Sequence, residues 1–166
     1  IERSQILVGT IGQIGIRKGT DVLLAAMQQV VARRQDVHVV VVGQRYSQKA
    51  EAAEFERQVR QLAEDANLEG HVHWLGVRTD IADLLRELSV YVHAARQEPL
   101  GRVLLEAAAS GLPIVATDAG GTREIFPATA DAAEVVPVGS VQALTGAVQG
   151  LLEDPSRAQR LGQSAR

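Results

Sequence analysis

The chain has 166 residues, which is enough for one domain with a sizeable hydrophobic core. A net charge of −3 and an aromatic content of 3% offer neither a basic patch nor a base-stacking surface, so nucleic acid is not an expected partner. The absence of cysteine excludes disulfides, thiolate metal sites and cysteine nucleophiles.

The two ends suggest part of a longer protein. The sequence opens at Ile1 without a methionine and stops at Arg166 within a helical pattern. No run approaches the ~20 apolar residues of a membrane span, and no signal peptide is visible. We therefore expect one domain, residues 1–166, from a larger cytoplasmic protein.

Short β-branched segments alternate with longer amphipathic segments along the chain. Strands are predicted at residues 6–11, 37–43, 71–76, 90–95, 113–118 and 133–138. Helices are predicted at residues 20–34, 48–67, 80–88, 101–110, 141–154 and 156–166. Strands of nearly continuous Val and Ile between helices are typical of a parallel sheet covered on both faces, so we predict a Rossmann-like, doubly wound α/β fold. Ligands of such sheets bind at the carboxyl ends of the strands.

The loop after the first strand, "GTIGQIGIRKGT", is rich in glycine. It fits neither the dinucleotide pattern nor the Walker A pattern, since its first three glycines fall at every third position and Lys18 precedes a glycine. Arg17 and Lys18 fall at the start of the predicted helix, where the dipole disfavours a cation unless an anion also binds. Two solvated surface cations are the alternative interpretation.

The loop after the fourth strand contains Glu98. Pro99 and Gly101 place the start of the next helix near residue 100. The first N–H groups of that helix, from Gly101, Arg102 and Val103, are predicted to form an anion site. Glu98 beside them could orient ligand hydroxyls, or it could simply compensate the helix dipole.

Glu106 interrupts an apolar run on the same predicted helix. Because its neighbours leave almost no polar face, we predict that the helix and Glu106 are buried. An unpaired buried carboxylate costs several kcal/mol, so it requires a partner, a ligand or a raised pKa. Glu106 lies eight positions after Glu98, which places both within about 80° on one side of a helix and lets them serve one elongated ligand. A core glutamate paired with an arginine or a backbone N–H is the alternative.

The loop after the fifth strand contains Gly120 and Gly121, followed by Thr122 as a predicted N-cap of a short helix. This arrangement predicts a second backbone anion site, although a glycine pair in a turn is also ordinary. No metal is expected, because the chain contains no D-x-D motif and no cluster with metal-ligand spacing. The histidines lie in or beside strands and are expected to be packing residues: His38, His71, His73 and His93.

These residues form a familiar pattern. The segment "EPLGRVLLEAAASGLPIVATDAGGTREI", residues 98–125, resembles the C-terminal, donor-binding domain of GT-B glycosyltransferases of the retaining family 4. That family has two glutamates separated by seven residues, here Glu98 and Glu106. "RKG" followed by "LLAA" resembles its other signature, and the resemblance extends over nearly the whole chain.

The resemblance implies a nucleoside-diphosphate sugar as donor and no separate cofactor. Glu98 would bind sugar hydroxyls, Glu106 the ribose and Lys18 the diphosphate, with Glu98 and Lys18 as the catalytic residues. The amides of the helix start would complete the diphosphate site: Gly101, Arg102 and Val103. The base would lie beside Gly76, Val77 and Arg78, and the sugar and phosphates beside Gly120 and Gly121.

The sequence departs from the family pattern in two places. The family usually has an arginine five or six positions before the lysine, where this chain has Gln13 and Gly12. Gln13 can hydrogen-bond a phosphate but cannot neutralise it, and Arg17 is a substitute at a different spacing. "EPLG" stands where the family often has Gly and Phe before the last glycine, which bears on sugar preference.

The predicted function is transfer of a hexosyl group with departure of a nucleoside diphosphate. A missing N-terminal domain would bind the acceptor, so this chain is expected to bind nucleotide without transferring sugar. Peripheral membrane association of the full-length enzyme is left open. The alternatives are part of a nucleotide-sugar epimerase or a phosphorylase of the same architecture, or a non-catalytic nucleotide-binding or regulatory flavodoxin-like domain.

Overall fold

A computed structural model describes residues 5–65 and 67–166. All six predicted strands are present, some shorter than predicted: β1 Ile6–Ile11, β2 Val37–Val42, β3 Val72–Gly76, β4 Val90–His93, β5 Ile114–Thr117 and β6 Glu134–Val136. The described helices are α1 Thr20–Val31, α2 Ala50–Ala63, α3 Ile81–Glu87, α4 Arg102–Ala109, α5 Thr122–Ile125, α6 Val141–Glu153 and α7 Pro155–Ala165.

The six strands form one sheet in the order β3-β2-β1-β4-β5-β6, and every neighbouring pair is parallel. From β1 the chain proceeds to one edge of the sheet, and from β4 it proceeds to the other. The carboxyl ends of β1 and β4 therefore flank the topological switch point, where ligands of doubly wound folds bind. The predicted Rossmann-like fold is confirmed.

Strand β2 shows why the strands are apolar without interruption. Its six residues are all buried. Val39 and Val41 belong to the apolar layer that also contains Leu24 of α1, whereas Val40 and Val42 belong to the opposite layer with Leu104. Because side chains alternate between the faces of a strand, a sheet covered on both faces requires apolar residues at every position.

Two helices end three or four residues earlier than predicted, and one unpredicted turn is present. Helix α1 ends at Val31 and α2 at Ala63, and the predicted extension of α2 to residue 67 crosses Ala66, which lies outside the described residues. Arg17 and Lys18 lie in a 3-10 turn, Ile16–Lys18, rather than at the start of α1. Within residues 5–65 and 67–166, no helix has the length and apolar character needed to cross a bilayer.

His38 on β2 contacts two other histidines, His73 on β3 and His71 just before it. His38 Nδ1 lies 3.0 Å from His73 Nε2, and the rings of His38 and His71 stack with centroids 4.9 Å apart. His71 Nδ1 lies 2.9 Å from the carbonyl oxygen of Val37, to which it donates. Burial lowers the pKa of His38, and the neighbouring rings of His71 and His73 lower it further. Burial also lowers the pKa of His73. The folded chain therefore disfavours protonation of His38 and His73.

This cluster predicts that mild acid destabilises the domain. The unfolded chain binds protons near the ordinary histidine pKa of 6.5, whereas the folded chain resists protonation, so stability falls as pH drops below that value. Urea unfolding at several pH values between about 7.5 and 5.5 should show a decreasing free energy of unfolding. His38→Phe should reduce the slope, and an equal slope in both proteins would contradict the assignment to this cluster.

Candidate functional site

Three loops meet at the carboxyl edge of the sheet, after β1, β4 and β5. Lys18 from the first loop forms an ion pair with Glu98 from the second. The carbonyl oxygen of Arg17 accepts hydrogen bonds from the backbone N–H of Arg96 at 2.7 Å and of Gln97 at 3.2 Å. The N–H of Gly121, from the third loop, donates to the carbonyl oxygen of Glu98 at 3.0 Å. The structure thus brings the predicted residues Lys18, Glu98 and Gly121 together.

Glu98 is the centre of this arrangement and is only 7% exposed. Its Oε2 accepts hydrogen bonds from Lys18 Nζ and, at 2.8 Å, from His93 Nε2. Its Oε1 accepts the backbone N–H of Gly101 at 2.8 Å. A buried carboxylate requires such partners, because without them its desolvation costs several kcal/mol.

The surroundings keep Glu98 ionised. Burial raises the pKa of its carboxyl, but the Lys18 ammonium, the Gly101 amide and His93 together outweigh burial and lower that pKa to about 2. Burial lowers the pKa of His93, and the charge of Lys18 acts in the same direction against the opposing pull of Glu98. At neutral pH an ionised Glu98 therefore faces a neutral imidazole, which must carry its proton on Nε2 to donate to the carboxylate.

His93 was predicted to be a packing residue, and this prediction was incomplete. The side chain is buried, at 3% exposure, but it also bonds directly to Glu98. On its other side, Nδ1 lies 3.3 Å from the hydroxyl of Tyr91, which in turn lies 3.4 Å from the carbonyl oxygen of Ile11. Burial raises the pKa of Tyr91, so its hydroxyl keeps its proton. A histidine at the end of a buried strand, five residues before Glu98, was the available sequence signal.

One amide of the predicted anion site at Gly120 and Gly121 is already occupied within the protein. The N–H of Gly121 is occupied by the carbonyl oxygen of Glu98, and Gly120 has a positive φ of 52°. A Cβ at Gly120 would collide with that same carbonyl oxygen. Gly121, not Thr122, is the N-cap of α5, and the Thr122 hydroxyl donates to the carbonyl oxygen of Ala119 at 2.8 Å. This loop therefore holds the backbone of Glu98 in place.

Helix α4 begins one residue later than predicted, and one of the three amides of the predicted anion site is occupied. It begins at Arg102 and has Gly101 as its N-cap, with φ 64°. The N–H of Gly101 is taken by Glu98, so Gly101 is removed from the predicted set of free amides. The backbone bond from the Leu105 N–H to the Gly101 carbonyl oxygen closes the first turn of the helix. The amides of Arg102 and Val103 precede it and stay available to an anion.

Glu106 was predicted to be buried, and it is exposed. Leu104, Ala107 and Ala108 form the core-facing stripe of α4, while Leu105 and Glu106 point away from it. The prediction failed because alanines lie on both faces of the helix and conceal its amphipathic character. An exposed Glu106 needs no protein partner, and it lies on the helix whose first amides are available.

A cleft of about 460 Å³ opens between the loop after β1, the loop after β2 and residues 97–99. Its polar and charged lining includes Gln13, Arg17, Lys18, Ser47, Lys49 and Gln97. The N–H of Gly12 donates to the carbonyl oxygen of Val42 at 2.9 Å and so extends the pairing of β1 with β2. Gln13 stands where the family pattern has arginine. It lines the same cleft as Lys18 but supplies no charge.

The residues predicted to border the base follow β3. Gly76 ends that strand, while Val77 and Arg78 are exposed in the loop behind it. Arg78 forms an ion pair with Asp80, with Nη2 and Oδ2 2.6 Å apart. In the described part of the chain, no group of three or more histidine, aspartate or glutamate side chains is arranged to hold a metal ion.

The sheet order and the loops at its switch point define the Rossmann-like class seen in the C-terminal half of GT-B proteins. The chain belongs to the Glycosyl transferases group 1 family, which it matches over residues 1–166.

Curated and solved relatives agree with this membership. The chain is 33% identical over 159 residues to the lipopolysaccharide core biosynthesis mannosyltransferase LpcC of Rhizobium leguminosarum bv. viciae, covering 96% of this chain and 44% of that protein. It is 37% identical over 142 residues to a phosphatidyl-myo-inositol mannosyltransferase of Mycolicibacterium smegmatis, covering 83% and 33%. It superposes on Anabaena Alr3699/HepE, solved in complex with UDP and glucose, with a TM-score of 0.88 and 26% identity, covering 98% and 42%. The chain spans less than half the length of each.

The ion pair predicts how Glu98 titrates. In the folded chain its carboxyl should stay ionised far below the ordinary value of 4.5, so the stability it contributes is present above that pH and is lost as pH falls from 4.5 toward about 2. Lys18→Met should raise the pKa of Glu98, as measured by ¹³C NMR of the side-chain carboxyl. Lys49→Met, which changes a cation of the same cleft, is the control. Titration of wild-type Glu98 near 4.5 would contradict this account.

The contact between Gly120 and Glu98 predicts a specific sensitivity to a methyl group. Gly120→Ala should destabilise the domain by at least about 2 kcal/mol, because it combines a positive φ with a collision against backbone. Gly146→Ala in α6 is the matched control, since a Cβ there meets no atom within 4 Å, and it should stabilise by ~0.5–1 kcal/mol. Equal unfolding free energies for the two variants would argue against close packing of Gly120 on the backbone of Glu98.

Proposed function

We propose that this chain is the donor-binding half of a two-domain retaining glycosyltransferase that takes a hexose from a nucleoside-diphosphate sugar. The observation that carries the proposal is the ionised, buried Glu98 beside Lys18 and the free amides of α4. Anion-binding and hydroxyl-binding groups thus lie side by side at the switch point of the sheet. Membership of the Glycosyl transferases group 1 family supports the same activity.

The diphosphate would bind where Lys18 meets the start of α4. The Lys18 side chain is 32% exposed, so it can turn from Glu98 toward a phosphate. The amides of Arg102 and Val103 point from the positive end of the helix dipole. As the bond to the sugar breaks, negative charge grows on the leaving phosphate, and these groups lower the barrier by stabilising it. Gln13 would contribute a hydrogen bond only.

The two glutamates would hold the two sugars of the donor. Glu98, fixed by three hydrogen bonds, would accept hydroxyls of the transferred hexose. Glu106, exposed about one turn into α4, would accept the ribose hydroxyls. The base would lie against Gly76, Val77 and Arg78.

The relatives support a hexose donor. The Rhizobium and Mycolicibacterium proteins are mannosyltransferases, and the Anabaena structure contains UDP and glucose. The acceptor site would belong to a second domain, so residues 1–166 alone would bind donor and transfer nothing. Cytoplasmic localisation and independence from a metal remain predictions from the sequence.

Calorimetric titration of residues 1–166 with GDP, UDP, ADP and their hexose conjugates tests the proposal. Glu106→Ala should weaken nucleotide binding by about tenfold or more, because it removes charged hydrogen bonds to the ribose. Glu69→Ala is the control. Glu69 is an exposed carboxylate that precedes β3, at the amino ends of the strands and away from the candidate site.

Two results would contradict the proposal. If no compound bound, or if Glu106→Ala and Glu69→Ala bound equally, a non-catalytic domain with another ligand would be favoured. Sugar transfer by residues 1–166 alone would exclude the division of labour between two domains.

A further inference from the structure

The row of hydrogen bonds from Tyr91 to Glu98 has a defined direction. Glu98 is a carboxylate, so the bond at 2.8 Å requires a proton on His93 Nε2. A neutral imidazole then has a lone pair on Nδ1, which faces the Tyr91 hydroxyl at 3.3 Å. Tyr91 is fully buried, and its hydroxyl can donate to Nδ1 or to the carbonyl oxygen of Ile11. Glu98 therefore sets the tautomer of His93, and the Tyr91 hydroxyl can satisfy the Nδ1 lone pair that this tautomer leaves.

The remaining capacity of Glu98 to accept hydrogen bonds is limited. A carboxylate offers about two accepting positions on each oxygen. Oε2 is filled by Lys18 and His93, whereas Oε1 is bonded to Gly101 and has one position left. If Lys18 turns to a phosphate, one position on Oε2 also opens. Glu98 would then offer one acceptor on each oxygen, which suits two neighbouring hydroxyls of a sugar.

His93 makes the position of the Glu98 carboxylate independent of where the Lys18 side chain lies. Without His93, Lys18 would be the one side-chain donor to Oε2 among residues 5–65 and 67–166, and the carboxylate could follow the ammonium toward the phosphates. With His93 in place, Nε2 and the Gly101 amide hold both oxygens whether or not Lys18 is present. Since His93 is buried behind Glu98, it acts through the carboxylate and not by touching the donor.

We propose that His93 is a positioning residue that fixes Glu98 for two sugar hydroxyls and thereby sets the affinity for the sugar part of the donor, independently of the nucleotide part. This proposal rests on the proposed function, because it assigns the hydroxyl-binding role to Glu98. It differs from a structural role in predicting that sugar binding and nucleotide binding are affected separately.

The test compares His93→Phe, which removes the donor, with His93→Gln, whose amide can still donate to Glu98. Calorimetry on residues 1–166 measures the affinities for GDP, GDP-mannose, UDP and UDP-glucose. His93→Phe should reduce the ratio of nucleotide-sugar affinity to nucleotide affinity by about fivefold or more, with nucleotide affinity unchanged within about twofold. His93→Gln should restore most of the ratio. Equal losses for nucleotide and nucleotide-sugar, or an unchanged ratio, would overturn the proposal.

Two further measurements keep the test decisive. If His93→Phe does not fold, Tyr91→Phe replaces it and should lower the same ratio by a smaller factor, with an unchanged ratio counting against the proposal. If wild type binds none of the four compounds, the proposed function fails, and ¹⁵N NMR of the His93 ring then judges the inference by itself. A proton on Nε2 supports the positioning of Glu98, and a proton on Nδ1 overturns it.

Discussion

A buried, ionised carboxylate at Glu98 constrains everything around the switch point. Such a charge is tolerated only when its oxygens are satisfied, and here the donors come from different parts of the chain: Lys18 after β1, His93 at the end of β4 and Gly101 before α4. The loop after β5 adds a bond to the backbone of the same residue. Glu98 therefore joins three loops that the sheet only brings near one another.

The same constraint organises the proposed chemistry. The cation that neutralises Glu98 in the free domain is the one that would neutralise a diphosphate, so donor binding would exchange one anionic partner of Lys18 for another. The Glu98 carboxylate would keep two hydrogen bonds in that exchange, because His93 and the Gly101 amide still donate to it. With Gln13 in place of an arginine, Lys18 and the first amides of α4 would carry most of the electrostatic stabilisation of the leaving group.

Local patterns in the sequence were sufficient for the fold, because the burial of a strand or a helix can be predicted from its own apolar residues. These patterns failed where the packing of the whole chain or a hydrogen-bond partner elsewhere in it decides the environment of a residue. Glu106 was predicted to be buried because alanines occupy both faces of α4, and only packing reveals Leu104, Ala107 and Ala108 as the inner stripe. The bond of His93 to Glu98 was missed because it depends on how the loop folds back across five residues. The amide of Gly121 was assigned to a ligand because its true acceptor lies on another loop.

The central claim is that the carboxyl edge beside β1 and β4 binds a nucleoside-diphosphate sugar. Amide chemical-shift mapping of the ¹⁵N-labelled chain during titration with GDP-mannose and UDP-glucose tests it most directly. We expect the largest shifts at Lys18, Arg102 and Val103, with smaller ones along α4 toward Glu106. Shifts confined to the amino ends of the strands, around His71 before β3, would contradict the claim, and so would the absence of shifts with either compound.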